Sequence, residues 1–251
     1  MSIVYKSQTQ IIRDDCEFLK PIPRVHQQRL TIQHWQLRDL ITCPKTSEEF
    51  IYVNQNAVNA YNTRTKATTQ LMKDLTFHPT SLTASCGYLA AGGQRSQLMV
   101  RQMNSNWFAH TSVGGSINNA LCISEHLGGT RLLISNNDET IKVYSLPGLQ
   151  RLANIQLPTA VNYGGYQKIG TYTATTEASF SEHVSYVNLV DARTFHDRQV
   201  IRVAPPGNDE HISGIAMSPD SKVCFVGLEN SVLEFDVDTI TRRSFPSGSL
   251  I

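Results

Sequence analysis

The chain has 251 residues with 22 Lys and Arg against 21 Asp and Glu, a formal net charge of +1. That balance produces no global field to gather nucleic acid or an anionic bilayer, so either role would need a local patch. No apolar run reaches the ~18 residues of a membrane-spanning helix, and five scattered cysteines with no CxxC pair or Asn-x-Ser/Thr sequon point to a reduced, soluble protein of the cytoplasm or nucleus.

The opening MSIVYKSQTQIIRDDCEFLK lacks the cationic start and apolar centre of a secretory signal, and Asp14, Asp15 and Glu17 argue against a mitochondrial presequence. The prolines of FLKPIP, residues 18–23, cannot propagate a helix, so residues 1–30 are expected to form an extension that runs along the first repeat or stays mobile, with pairing to the last repeat as the alternative. From residue 31 onward, short apolar runs alternate with turn residues. LITC (40–43), a turn at Pro44–Ser47, FIYV (50–53) and AVNAY (57–61) form the first set. LTFHP (75–79), GYLAAGG (87–93), the turn QRS (94–96) and QLMVR (97–101) repeat the order, as do ALCIS (120–124), RLLIS (131–135) and TIKVY (140–144). A fragment, VSYVNLVDAR (184–193), has a third strand and its turn without a first half. The clearest set is the last: HISGIAM (211–217), the turn SPDS (218–221), VCFVG (223–227), the turn at Glu229–Ser231, VLEFDV (232–237) and TRRSF (241–245).

Tyr61, Val100, Tyr144, Leu189 and Phe235 hold equivalent third-strand positions at intervals of about 40 to 45 residues, the period of a four-stranded propeller blade. An immunoglobulin-like sandwich would not return one strand–turn order at one period, and few windows carry helical spacing. The expected fold is therefore all-β, a β-propeller over residues 31–251 with about five recognisable blades.

The strand ends DVDT (236–239) and DART (191–194) resemble the place where WD40 repeats carry Trp-Asp. With HWQLRDL (34–40), GYLAAGG (87–93), ISNNDETIKVY (134–144) and EHVSYVNLVDARTF (182–195), they resemble a divergent, mostly uncharacterised WD40-repeat family of fungi and plants. In its fungal members the last blade carries a short domain of unknown function. The resemblance runs from about residue 30 to the C-terminus and implies a ring of about seven blades, roughly 280 residues at ~40 per blade. TATTEASFS (173–181) begins a blade, yet EHVSY (182–186) continues as the second half of a later one. About two blades are expected to be absent between Phe180 and Val184, leaving an incomplete or distorted ring.

No residue set for chemistry emerges. GxxxxGK[ST] and GxSxG are both missing; Gly92-Gly93 and Gly114-Gly115 are read as turns and Ser116 as a strand start. His183, His196, His211 and Asp191 lack metal-ligand spacing, and the pairs Asp14-Asp15 and Asp209-Glu210 are read as solvated. Arg64, Lys66, Lys73, Arg95 and Arg101 are read as solvent-facing, without the aromatic platform that single-stranded nucleic acid needs. Trp35 is assigned to core packing. Trp107, flanked by Asn104 and Asn106 in an inter-strand loop, is the candidate partner anchor, with Arg95 and His110. The expected function is a non-enzymatic scaffold for protein partners, with no cofactor, no metal, no small-molecule substrate, no membrane and no nucleic acid. The alternatives are a shortened product without independent function and an enzyme using the propeller channel.

Overall fold

The computed structural model describes residues 9–14, 18–34, 39–126, 128–163, 178–183, 185–191, 198–205 and 207–238. Two strands precede the first repeat, β1 (Gln10–Asp14) and β2 (Arg24–His26). Blade 1 comprises β3 (Ile41–Thr42), β4 (Glu49–Asn54), β5 (Ala57–Asn62) and β6 (Thr68–Met72). Blade 2 comprises β7 (Pro79–Ser85), β8 (Tyr88–Gly93), β9 (Gln97–Gln102) and β10 (Phe108–Ser112), and blade 3 β11 (Asn118–His126), β12 (Gly129–Asn136), β13 (Thr140–Ser145) and β14 (Arg151–Gln156). Blade 4 contains β15 (Ala178–His183), β16 (Tyr186–Asp191) and β17 (Arg198–Arg202), and blade 5 β18 (Ile212–Met217), β19 (Val223–Leu228) and β20 (Val232–Asp236). Each is a four-stranded antiparallel sheet, because β1 pairs with β17 and β2 with β20. The outer strand expected at residues 241–245 lies outside the described residues; β2 occupies that place in the last blade.

The period-two alternation of side chains explains why whole strands are buried. In β8, Tyr88 and Ala90 pack toward blade 3 while Leu89 and Ala91 pack toward blade 1. In β4, Phe50 and Tyr52 meet Phe225 of blade 5, whereas Ile51 and Val53 meet Leu82 and Leu89 of blade 2. Each such fully buried side chain contributes about 1.5–3 kcal/mol of transfer free energy. Buried clusters of this kind join blades 1 and 2, 2 and 3, 4 and 5, and 5 and 1. Among the described residues none joins blade 3 to blade 4.

One recurring turn aligns the blades. The tight turn between second and third strands places Gln55, Ser96 and Glu139 at positive φ, and Ser185 does the same between β15 and β16. The residue following each fourth strand, and in blade 4 the one following β17, then donates its N–H back to that turn: Val113 to Ser96, Leu157 to Glu139 and Val203 to Ser185, at 2.8–3.0 Å. Met103 and Val237, which follow third strands, donate in the same way to the first turn of blades 2 and 5 at 2.8 Å, and in blade 4 the sheet order is β15, β16, β17, β1. The inner strands β18, β3, β7 and β11 run side by side.

Three local expectations change. The first strand of blade 2 is Pro79–Ser85, not residues 75–79. Its Thr80 and Ser81 are buried because their hydroxyls donate to the carbonyl of Asn118 on the next inner strand, at 3.3 and 3.2 Å. Gly92 and Gly93 end β8 instead of forming a turn; a Cβ on Gly92 would stand 2.7 Å from the Ser81 hydroxyl, so the close approach of two strands requires glycine. Ser116 lies in the loop before β11 and accepts a hydrogen bond from the Ser96 hydroxyl.

Candidate interaction surface

The hairpin connections of blade 2 place the candidate residues at different points of the sheet. Arg95 sits exposed in the β8–β9 turn, where its N–H donates to Gln97 Oε1 at 2.7 Å. Trp107 occupies the β9–β10 turn at the opposite end, its N–H donating to Ser105 Oγ at 3.0 Å. Its ring is half-buried edge-on against Tyr88, with centroids 6.1 Å apart at 89°, so much of it serves the core between blades 2 and 3. His110 is exposed on β10, stacked on Phe77 at 6.0 Å with Nε2 3.4 Å from Thr76 Oγ1. The structure therefore does not bring Arg95, Trp107 and His110 together. Trp35 lies outside the described residues.

The residue that sequence reasoning missed is Phe108, the neighbour of Trp107 and 62% exposed. It projects on the same side of β10 as His110, because the two are separated by two positions. Opposite them on β9 are Arg101 and Met99. Arg101 donates to the Leu71 carbonyl of blade 1, and Met99 and Leu71 are half-buried against the cluster between blades 1 and 2. The outer rim between these blades is thus an apolar strip of Leu71, Met99 and Phe108 with Arg101 and His110 along it. The available signal was the exposed aromatic beside the tryptophan, but alternation alone could not say which of the two faced solvent.

Two buried polar clusters brace other parts of the ring. His26 on β2 lies with Nε2 2.5 Å from Glu234 Oε2 and Nδ1 3.5 Å from the Lys66 ammonium. An ammonium can only donate, so this network assigns the proton to Nε2, which donates to the carboxylate. Arg24 reaches Glu234 at 2.7 Å and Asp236 at 2.6 Å. Burial pushes the Glu234 carboxyl up, but hydrogen bonds from His26 and Arg24 outweigh it and hold the group below the usual range; Arg24 does the same for Asp236. In blade 3 the buried Lys142 ammonium lies 2.8 Å from Asp138 Oδ2, and with Thr140 it keeps that carboxyl low against the upward push of its burial. Every member of both networks is paired, so they serve cohesion between strands. Among the described residues no three His, Cys, Asp or Glu side chains gather closely enough to hold a metal ion.

Residues 179–202 match an uncharacterised protein domain, DUF2415. The match covers β15–β17 in blade 4, and not the last blade, where the resemblance of the sequence would place such a domain. Uncharacterized protein C4G3.03 of Schizosaccharomyces pombe is 32% identical over 156 residues, a stretch that covers 60% of this chain and 44% of that protein. The chain therefore aligns with less than half the length of this curated relative. Two solved structures have the same architecture at 12% identity: the RRP9 WD40 repeats, with a TM-score of 0.58 over 86% of this chain and 97% of that one, and U3-55K, with 0.58 over 85% and 98%. With the five four-stranded antiparallel sheets, these likenesses make the chain an all-β, WD40-type propeller whose ring is not closed among the described residues.

Proposed function

We propose that the protein is a non-enzymatic scaffold that holds protein partners on the rim of its propeller, in the cytoplasm or nucleus. The observation that carries this reading is Phe108, a phenylalanine left 62% exposed where Phe18, Phe50, Phe77, Phe225 and Phe235 are all buried. Exposed aromatics beside an arginine and a half-buried tryptophan are the composition of interface anchors. The rigid sheets behind them hold the strip at little cost in side-chain ordering. The assignment of scaffolding to the fold itself is analogy, since propellers host many functions. Affinity purification with mass spectrometry tests it. Stoichiometric partners lost on Phe108→Ala are expected; a monomer that brings down no partner overturns the scaffold reading.

A second reading has its own observation. Blade 4 draws its fourth strand, β1, from the far end of the chain. The stretch shared with the S. pombe protein is 60% of this chain but 44% of that one, so the relative is longer by about a third. That excess, about 90 residues, is the length of two blades. It supports an internally shortened chain, whose test is the transcript sequence across codons 175 to 185.

A further inference from the structure

Propeller blades end outward in a strand whose second edge has no partner, and proteins blunt such edges with charged side chains or bulges. The edges of this molecule differ in that respect. In blade 4 the outer edge of β17 is already covered by β1, added antiparallel from a distant part of the chain. β2 carries Arg24, β6 pairs with β5 across a register shift at Val58/Asn59, and β14 begins with Arg151 and pairs across a shift at Val143/Tyr144. β10, with the sequence FAHTS, has no Lys, Arg, Asp, Glu or Pro and pairs with β9 in unbroken register from Phe108↔Arg101 to Ser112↔Gln97.

The ladder shows which groups this edge offers. Gln102 donates its N–H to the carbonyl of Trp107 at 3.1 Å, which makes that pair hydrogen-bonded. Antiparallel pairs alternate, so Ala109 and Thr111 bond to β9 while the N–H and C=O groups of Phe108, His110 and Ser112 point outward. The outward groups coincide with the exposed side chains of Phe108 and His110, above Leu71 and Met99. Residues 64–112 also carry five Lys and Arg against one acidic residue, Asp74, in a chain whose total is nearly balanced.

We infer that the outer edge of β10 takes up an extended segment of a partner protein as a fifth strand of blade 2. The segment places an apolar residue beside Phe108 and carries acidic residues at its flanks. β-Strand addition of this kind draws affinity from main-chain hydrogen bonds and selectivity from alternate side chains. β1 on β17 is the same arrangement made within the chain. This inference rests on the scaffold reading and specifies its partner.

The test uses the full chain and a fluorescent peptide of about ten residues, alternating valine and threonine with two aspartates at each end. Saturable binding is expected, reduced about tenfold or more by His110→Pro, which removes an outward N–H without breaking a bond to β9. Phe108→Lys, an edge-blunting charge, has the same effect, and so does N-methylation of alternate peptide nitrogens with the wild-type protein, which needs no variant to fold. Loss of binding on exchanging the aspartates for lysines is also expected. Absence of binding, or equal binding by the N-methylated peptide, overturns the inference. So does a wild-type self-association in sedimentation that His110→Pro abolishes, which would assign the edge to a second copy. If His110→Pro keeps every partner captured by the wild type, the edge is wrong and the scaffold stands. If the wild type captures none, the scaffold itself falls.

Discussion

His26 and Glu234, 208 positions apart in the chain, share a 2.5 Å hydrogen bond in the interior. The side chains are 2% and 7% exposed, and the bond ties the N-terminal strand β2 to the last blade. Lys66 approaches the same imidazole from blade 1, so three parts of the chain meet at one ring.

A carboxyl held below its ordinary value adds stability that is complete above the unfolded-state pKa and is lost as pH falls through the folded one. For Glu234 the loss begins below the ordinary glutamate value of about 4.3. Glu234→Gln is expected to cost about 2–3 kcal/mol at pH 7, since Arg24 loses a partner while Asp236 remains to it. Between about pH 5 and 3 the variant should lose less stability than the wild type. Urea denaturation across that range checks both; parallel pH profiles would dismiss the pair as a source of acid sensitivity.

Gln199 holds the N-terminal segment to blade 4. Its Oε1 accepts from the N–H groups of Phe18 and Leu19 at 3.1 and 2.8 Å, and its Nε2 donates to the Leu19 carbonyl at 2.9 Å. Gln199→Ala leaves these buried groups without that partner, an expected loss of about 2–4 kcal/mol. Hydrogen exchange should show the amides of Phe18 and Leu19 opening before those of β8. Unchanged protection at both positions would contradict the assignment.

Gly92→Ala brings a methyl to 2.7 Å from Ser81 Oγ and 2.9 Å from Asn118 Cβ, at the contact of two inner strands. Overpacking of this kind costs about 1–3 kcal/mol. The double variant with Ser81→Gly is expected to recover part of that loss in thermal melts, because it removes the hydroxyl that the methyl meets.

The Ser213 hydroxyl on β18 is buried and has no hydrogen-bond partner among the described residues. Ser213→Ala removes an unsatisfied polar group, and stability is expected to rise by about 0.5–1 kcal/mol. A lowered denaturation midpoint would show that the hydroxyl is bonded after all.

The repeats were legible because they are written locally. Turn residues such as SPDS (218–221) and unbroken apolar runs such as VCFVG (223–227) declare a hairpin buried on both faces. The strand Pro79–Ser85 was not legible: TSLTAS looks like a loop until the buried hydroxyls of Thr80 and Ser81 find the Asn118 carbonyl. Glu234 of VLEFDV is buried, and its partners His26 and Arg24 come from the other end of the chain, which no local pattern announces. At the candidate surface the sequence singled out Trp107, which is half-buried against Tyr88, while its neighbour Phe108 is the exposed ring.

The sequence by itself determined the blade, its period and the five recognisable repeats, since side-chain alternation and turn chemistry act over a few residues. Only the tertiary structure decided where β1 and β2 pair. Main-chain hydrogen bonds at a strand edge are nearly indifferent to side-chain identity, so a strand's own residues do not name its partner. The choice falls to what the rest of the fold leaves unpaired: β17 takes β1 and β20 takes β2, while β6, β10 and β14 stay at the ends of their sheets.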